Sequence, residues 1–136
     1  MTIPSCLECL SVLDKLVEGV VELLEMAEED ANAAAISVVE AGTNAIQHGN
    51  KFKEEIPVEF IFSLDSDALR VEVRDRGPGF NVEEVLSADP TTPEDILKPR
   101  GRGIFIMRSL MDEVSFKIEE GDGCRAQLTR YRKRPE

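Results

Sequence analysis

Apolar residues recur along this chain with two different periods. Leu7, Leu10, Leu13, Leu16, Val17, Val20, Leu23 and Leu24 form a 3.6-residue stripe, which predicts an amphipathic helix with Ser5 as its N-cap. Glu28-Glu29-Asp30 then opens a second helix, because acids complement the positive end of the helix dipole. That helix continues from Ala31 to about Gln47 and stops near Gly49-Asn50. The period then changes to two. Val58, Phe60, Phe62 and Leu64 alternate with Glu59, Ile61 and Ser63, and Leu69, Val71, Val73 and Asp75 alternate with Arg70, Glu72 and Arg74. Asp65-Ser66-Asp67 joins these two strands as a hairpin turn. A third helix is predicted from about Arg102 to Met111, and a last hairpin pairs Val114–Glu119 with Arg125–Tyr131. The order implies an α+β fold, a two-layer sandwich of an antiparallel or mixed sheet with helices on one face.

Residues 76–103 interrupt this regularity with Gly77, Pro78, Gly79, Pro90, Pro93, Pro99, Gly101 and Gly103. So long an irregular connection inside a small domain is usually a lid or a binding loop.

Composition narrows the picture. The 136 residues suit one domain, and 42% hydrophobic content supplies one core. No apolar run reaches the ~18 residues of a membrane span, and no signal peptide is evident, so a cytoplasmic setting is expected. The net charge of −11, with no Trp and one Tyr, argues against nucleic acid as a partner. The charge is segregated, at −8 over residues 1–50, −6 over 51–99 and +3 over 100–136. Solvated acidic helix faces explain this, as does an acidic surface for a basic protein partner with cations near a bound phosphate.

Cys6 and Cys9 form a C-x-x-C, and Cys124 stands alone. Redox versions of the motif follow a strand and start a helix in a βαβ unit. Here the pair lies on the first turns of an apolar helix, which favours ordinary half-buried cysteines. One His and three scattered Cys do not offer the four ligands of a structural zinc.

The second helix carries polar chemistry. Glu40, Asn44 and His48 recur at spacing four and so share one face of a regular helix. A solvated stripe has the same pattern. Gly42, inside this helix, costs roughly 0.5–1 kcal/mol relative to Ala, which suits a place where something approaches closely. Asp75 ends a strand and is followed by Gly77-Pro78-Gly79. A carboxylate there can accept a hydrogen bond from an exocyclic amine, with glycines letting backbone close over a flat ring; an Asp-initiated turn reads the same way. Arg100-Gly101-Arg102-Gly103-Ile104 enters a helix, where free N–H groups and the dipole both favour an anion. Neither G-x-x-x-x-G-K-[ST] nor G-x-G-x-x-G occurs, so P-loop and Rossmann phosphate sites are unsupported.

Taken together and in this order, these elements resemble a known superfamily. E-A-x-x-N-A-I-x-H-G at 40–49 resembles the N box of the GHKL ATPases, Asp75–Gly79 their first glycine box, and Gly101–Gly103 their second. Over nearly the whole chain the resemblance is to the anti-sigma-factor serine kinases of the RsbW type. The resemblance implies a Bergerat-type ATP-binding fold over residues 1–136, with an ATP lid at about 80–100. It implies ATP and Mg²⁺ as cofactors. Asn44 would hold the Mg²⁺, Asp75 would recognise the adenine amine, and Gly77 and Gly79 would shape that pocket. Gly101, Gly103 and Ile104 would wrap the phosphates, with Arg100 or Arg102 adding positive charge. Glu40 would be the general base, and His48 would cap the helix end or touch a phosphate. The implied activity is phosphorylation of Ser or Thr on an anti-anti-sigma partner of the STAS type, alongside sequestration of a sigma factor by a homodimer.

Three positions depart from the family pattern. Thr91-Thr92-Pro93 replaces Thr-Thr-Lys, Gly123-Cys124 replaces Gly-Thr, and the first strand is cut to Met1-Thr2-Ile3-Pro4. A thiol is a weaker donor than a hydroxyl. The first two departures keep a second reading open, a non-catalytic ATP-binding module that regulates by interaction. An ATP domain of a two-component histidine kinase fits less well, because His48, inside the N box, is the one histidine.

Overall fold

The computed structural model describes residues 1–87, 99–119 and 121–132, with Ser87, Pro99 and Arg100 described by backbone alone. Strands β1 (Thr2–Ile3), β2 (Val58–Leu64), β3 (Ala68–Asp75), β4 (Glu113–Glu119) and β5 (Gly123–Tyr131) form one sheet in the order β1-β2-β3-β5-β4. Every pairing is antiparallel. The first strand is a two-residue edge, where Thr2 faces Glu59 and Ile3 faces Val58. The Met1 amine donates to the Phe60 carbonyl at 3.0 Å and extends that edge.

Period two decides which face of the sheet is covered. Val58, Phe60, Leu69, Val71, Val73, Ala126 and Leu128 are buried on one face and join the core. Glu72, Ser115 and Gln127 lie on the opposite face, linked by hydrogen bonds. Helices α1 (Leu10–Leu23), α2 (Glu28–Asn44) and α4 (Pro99–Leu110) cover the apolar face, with Leu13, Val17, Ala34, Val38, Ile104 and Met107 pointing inward. Each fully buried Leu, Val or Phe contributes about 1.5–3 kcal/mol relative to exposure. A Cβ on Gly42 would meet Leu10 at 3.0 Å and Phe60 at 3.2 Å. What approaches this helix closely is therefore α1 and the sheet.

Three details differ from expectation. Ser5 does not cap α1; its buried hydroxyl donates to the Ile56 carbonyl at 2.5 Å and accepts from Asn50 Nδ2 at 3.0 Å. A buried carbonyl needs a donor, and this long-range bond outcompetes the local cap. The second helix does not stay α-helical to its end. Ala45–Gly49 winds as a π turn closed by the Asn50 N–H on the Ala45 carbonyl at 2.8 Å. A short helix, α3 (Val82–Ser87), lies within the irregular stretch, and residues 88–98, which fall in the expected ATP lid, are outside the described residues. Among the described residues no helix is long and apolar enough to cross a membrane.

A buried ion pair ties the two layers. Arg130 on β5 meets Asp30 in the first turn of α2 at 2.6 Å, and Asp30 is 1% exposed. The same guanidinium donates to the Leu110 carbonyl at the end of α4 at 2.7 Å.

Candidate functional site

The C-terminal half of α2, the end of β3 and the start of α4 converge on one narrow cleft. Its walls are mostly apolar: Ala41, Ala45, Val73, Ile104, Met107 and Ala126, with Phe80 and Phe116 packed edge to face at 5.3 Å. Asn44, Asp75 and Cys124 bring the polar groups. An apolar slot with a few placed polar groups suits a flat heterocycle.

Asp75 is held by backbone. The Gly77 N–H donates to its Oδ1 at 2.8 Å. A Cβ on Gly77 would fall 2.3 Å from the Gly49 carbonyl oxygen, so the loop after β3 lies directly on the π turn. Asn50 locks this junction. Its Oδ1 accepts the Arg76 N–H at 2.8 Å, and its amide donates to Ser5 and to the Ile56 and Pro57 carbonyls. Asn50 had appeared in the sequence only as a helix stop. The signal for its role was its place after Gly at the end of the N box. Gly79 has φ +77° and lies against Ile118 of β4.

The other end of the site is set by α4. A Cβ on Gly103 would lie 3.0 Å from Glu40 Oε2 and 3.2 Å from Asn44 Nδ2. The second glycine box thus rests on the N box with both side chains between them. Asn44 Nδ2 is buried and has no hydrogen-bond partner among the described residues. The helix begins earlier than the sequence suggested, at Pro99, where a missing N–H costs nothing. Gly101 and Gly103 are therefore inside α4, and the orphan donors belong to residues 100–102. Gly101 lines a neighbouring groove with Val85, Leu86, Phe105 and Arg108. Arg102 is exposed, and the Arg100 side chain lies outside the described residues. Ile104 is 1% exposed and lines both cavities.

Glu40, Asn44, Asp75, Gly77, Gly103 and Ile104 are thus brought together. His48 is half-buried within the π turn and is not among the residues lining the cleft. The wider turn after Asn44 swings it off the line that spacing four predicted. Cys124 stands opposite Asp75 in the β3–β5 register and lines the same slot. Phe80, Phe116 and Met107 were missed in the sequence, because their contacts with the cleft are long-range. Among the described residues no cluster of three or more His, Cys, Asp or Glu could hold a metal.

The family model for the histidine kinase-like ATPase domain matches residues 3–129. The chain belongs to the histidine kinase-like ATPase family. Within the histidine kinase-like ATPases it is 30% identical over 139 residues to the serine-protein kinase RsbW of Staphylococcus aureus strain bovine RF122 / ET3-1. That match covers 98% of this chain and 86% of the relative. The RsbW of strain MSSA476 is 29% identical over the same spans. This histidine kinase-like ATPase is a serine kinase of that type. Its fold is shared with the RsbU and RsbW domains of Rv1364c from Mycobacterium tuberculosis, at TM-score 0.66 and 16% identity, covering 99% of this chain and 33% of that one. It also resembles the histidine kinase domain of the blue-light activated kinase EL346 from Erythrobacter litoralis, at TM-score 0.55 and 25% identity, over 75% of this chain and 44% of that one.

Proposed function

We propose that this protein is an anti-sigma factor that phosphorylates a serine or threonine of a STAS-type anti-anti-sigma partner, using Mg²⁺ and ATP, and that as a homodimer in the cytoplasm it sequesters a sigma factor. The observation that carries the catalytic part is the seating of Gly103 on Glu40 and Asn44. It sets a carboxylate and an amide side by side, and Asn44 lines the same slot as Asp75.

The residues fit the nucleotide. The buried, unpartnered Asn44 Nδ2 is a donor that an oxygen of the nucleotide would satisfy. Few protein ligands converge there, which suits Mg²⁺, a cation that keeps several waters and takes phosphate oxygens. Bound Mg·ATP would supply the electrophilic phosphorus and neutralise developing charge.

The chain's own residues do the rest. Asp75 accepts a hydrogen bond from the adenine amine, while the Gly77 N–H keeps its other oxygen in place. Phe80, Phe116, Ile104 and Met107 exclude water from the ring. Asn44 turns its amide oxygen toward the cation. The donors of residues 100–102 favour the phosphates, with Arg102 adding charge. Gly101 and Gly79 let backbone follow the nucleotide, and His48 supports the end of the N box. Glu40 takes the proton from the attacking hydroxyl at its carboxylate. Phosphoryl transfer requires little more than positioning and charge neutralisation, so this set is sufficient.

The test is incubation with γ-labelled ATP, Mg²⁺ and the cognate partner. Label on a partner Ser or Thr is expected. Nucleotide binding by calorimetry without any transfer would instead establish the non-catalytic module, the reading that Cys124 and Thr91-Thr92-Pro93 favour. Affinity purification with and without ATP tests the sigma-factor and anti-anti-sigma partners, and sedimentation tests the dimer.

A further inference from the structure

The structure places the C-x-x-C in a setting that the apolar pattern had hidden. Strand β1 ends at Ile3, with two residues between it and Cys6, and α1 begins at Leu10, directly after Cys9. Cys6 has extended backbone, with φ −134° and ψ 126°, and Leu7–Cys9 forms a single 3₁₀ turn. Cys9 is the N-cap of α1. The Cys9 N–H donates to the Cys6 carbonyl at 3.1 Å. Such a four-residue turn brings its end Cα atoms within about 7 Å, which overlaps the ~4.4–6.8 Å span of disulfides. Both cysteines are free and half-buried.

We propose that Cys6 and Cys9 are a reversible dithiol, a modification site that a small-molecule disulfide such as oxidised glutathione closes into an intrachain disulfide. The chemistry balances. The Cys6 thiolate attacks one sulfur of the small disulfide, forming a mixed disulfide and releasing one small thiolate. The Cys9 thiolate then attacks the Cys6 sulfur and releases the second. Two protein thiols lose two protons and two electrons, and the small disulfide is reduced to two thiols.

The order of attack follows from the environment. Burial first, then the Cys6 thiol with which it shares a hydrogen bond, and then Glu54 and Glu8 hold the Cys9 thiol above its ordinary value. Cys9 is therefore the poorer first nucleophile and is better placed as the resolving thiol, one 3₁₀ turn from Cys6. The buried Cys124, in the nucleotide slot, has no part in the exchange.

The test exposes the full chain to oxidised glutathione, alkylates it under native and denaturing conditions, and maps peptides by mass. The expected result is one peptide carrying both Cys6 and Cys9, lighter by two hydrogen atoms and resistant to alkylation until dithiothreitol is added, while Cys124 is alkylated after denaturation. In Cys9→Ser, glutathione should remain attached to Cys6. Three alkylatable thiols after oxidation, a persistent glutathione adduct in the wild type, or an unmodified Cys6 in Cys9→Ser would each overturn the proposal. Circular dichroism of Cys9→Ser confirms that any loss of adduct is not a loss of fold.

Discussion

Gly49 and Asp75 occupy the same space that an alanine and an aspartate could not share: a Cβ on Gly49 would fall 2.3 Å from the Asp75 carboxyl carbon. The end of the N box and the end of β3 are thereby fitted to each other, and the carboxylate that faces the slot is aimed by the absence of a side chain two elements away. Gly49→Ala forces Asp75 or the π turn to move. Overpacking of this kind costs about 1–3 kcal/mol. Nucleotide affinity, measured by calorimetry, should fall about tenfold or more, since tenfold corresponds to about 1.4 kcal/mol. An affinity equal to wild type would mean that the contact with Gly49 does not aim the Asp75 carboxylate.

Glu40→Gln removes a base and keeps the shape. General base catalysis is typically worth about 10²–10⁴-fold. Phosphoryl transfer to the partner should drop at least about a hundredfold, with nucleotide binding close to wild type. Equal loss of both would assign Glu40 to binding.

How much of this was legible before the fold? The three long helices and the two hairpins were, because period 3.6 and period 2 each bury one face and leave little choice of register. The π turn was not, because Ala45 and Ile46 are buried whether the chain winds as α or π. Ser5 misled for a related reason. A hydroxyl ahead of an apolar run looks like a cap, and only the fold shows that the Ile56 carbonyl needs it more. In the site, Glu40, Asn44, Asp75 and Gly103 were found through motif spacing. The aromatic walls Phe80 and Phe116 were not, since they meet only when β4 packs beside the loop after β3.

Gly103→Ala sets helix stability against function. Ala in a helix interior is favoured over Gly by about 1 kcal/mol. The new methyl would meet Glu40 Oε2 at 3.0 Å, the flexible end of a side chain that can yield. The melting temperature should therefore hold or rise slightly, while transfer falls because Glu40 and Asn44 are displaced. A variant that is both more stable and fully active would show that the contact with Gly103 does not position the pair.

Asp30 and Arg130 predict the largest stability change. Asp30→Ala leaves the Arg130 guanidinium, 12% exposed, without its anion. Breaking a buried pair from one side costs about 3–5 kcal/mol. Denaturant unfolding should show a free energy lowered by that amount, read as a lower midpoint at an unchanged slope. Asp30→Leu combined with Arg130→Met should recover much of the loss, because two apolar residues leave no stranded charge. No recovery would shift the weight to the Arg130 bond to the Leu110 carbonyl.

Asp65 gives a pH dependence with a definite sign. Its Oδ1 accepts the Asp67 and Ala68 N–H groups, both at 2.8 Å, in the β2–β3 turn. These two bonds, and then the Arg70 guanidinium, hold its carboxyl below the usual Asp value. A carboxyl lowered on folding stabilises the fold fully above its unfolded value, and the contribution is lost as pH falls through the folded value. Asp65→Asn keeps an acceptor oxygen but removes the charge. The wild type should therefore melt higher than Asp65→Asn at neutral pH, and the gap should close as the solution is acidified below the usual carboxylate range. The gap should also shrink with added salt at neutral pH, because the Arg70 contribution is solvent-exposed and screened. A gap independent of pH would mean that the turn is held by hydrogen bonds to a neutral acceptor, with no contribution from the ionised carboxylate.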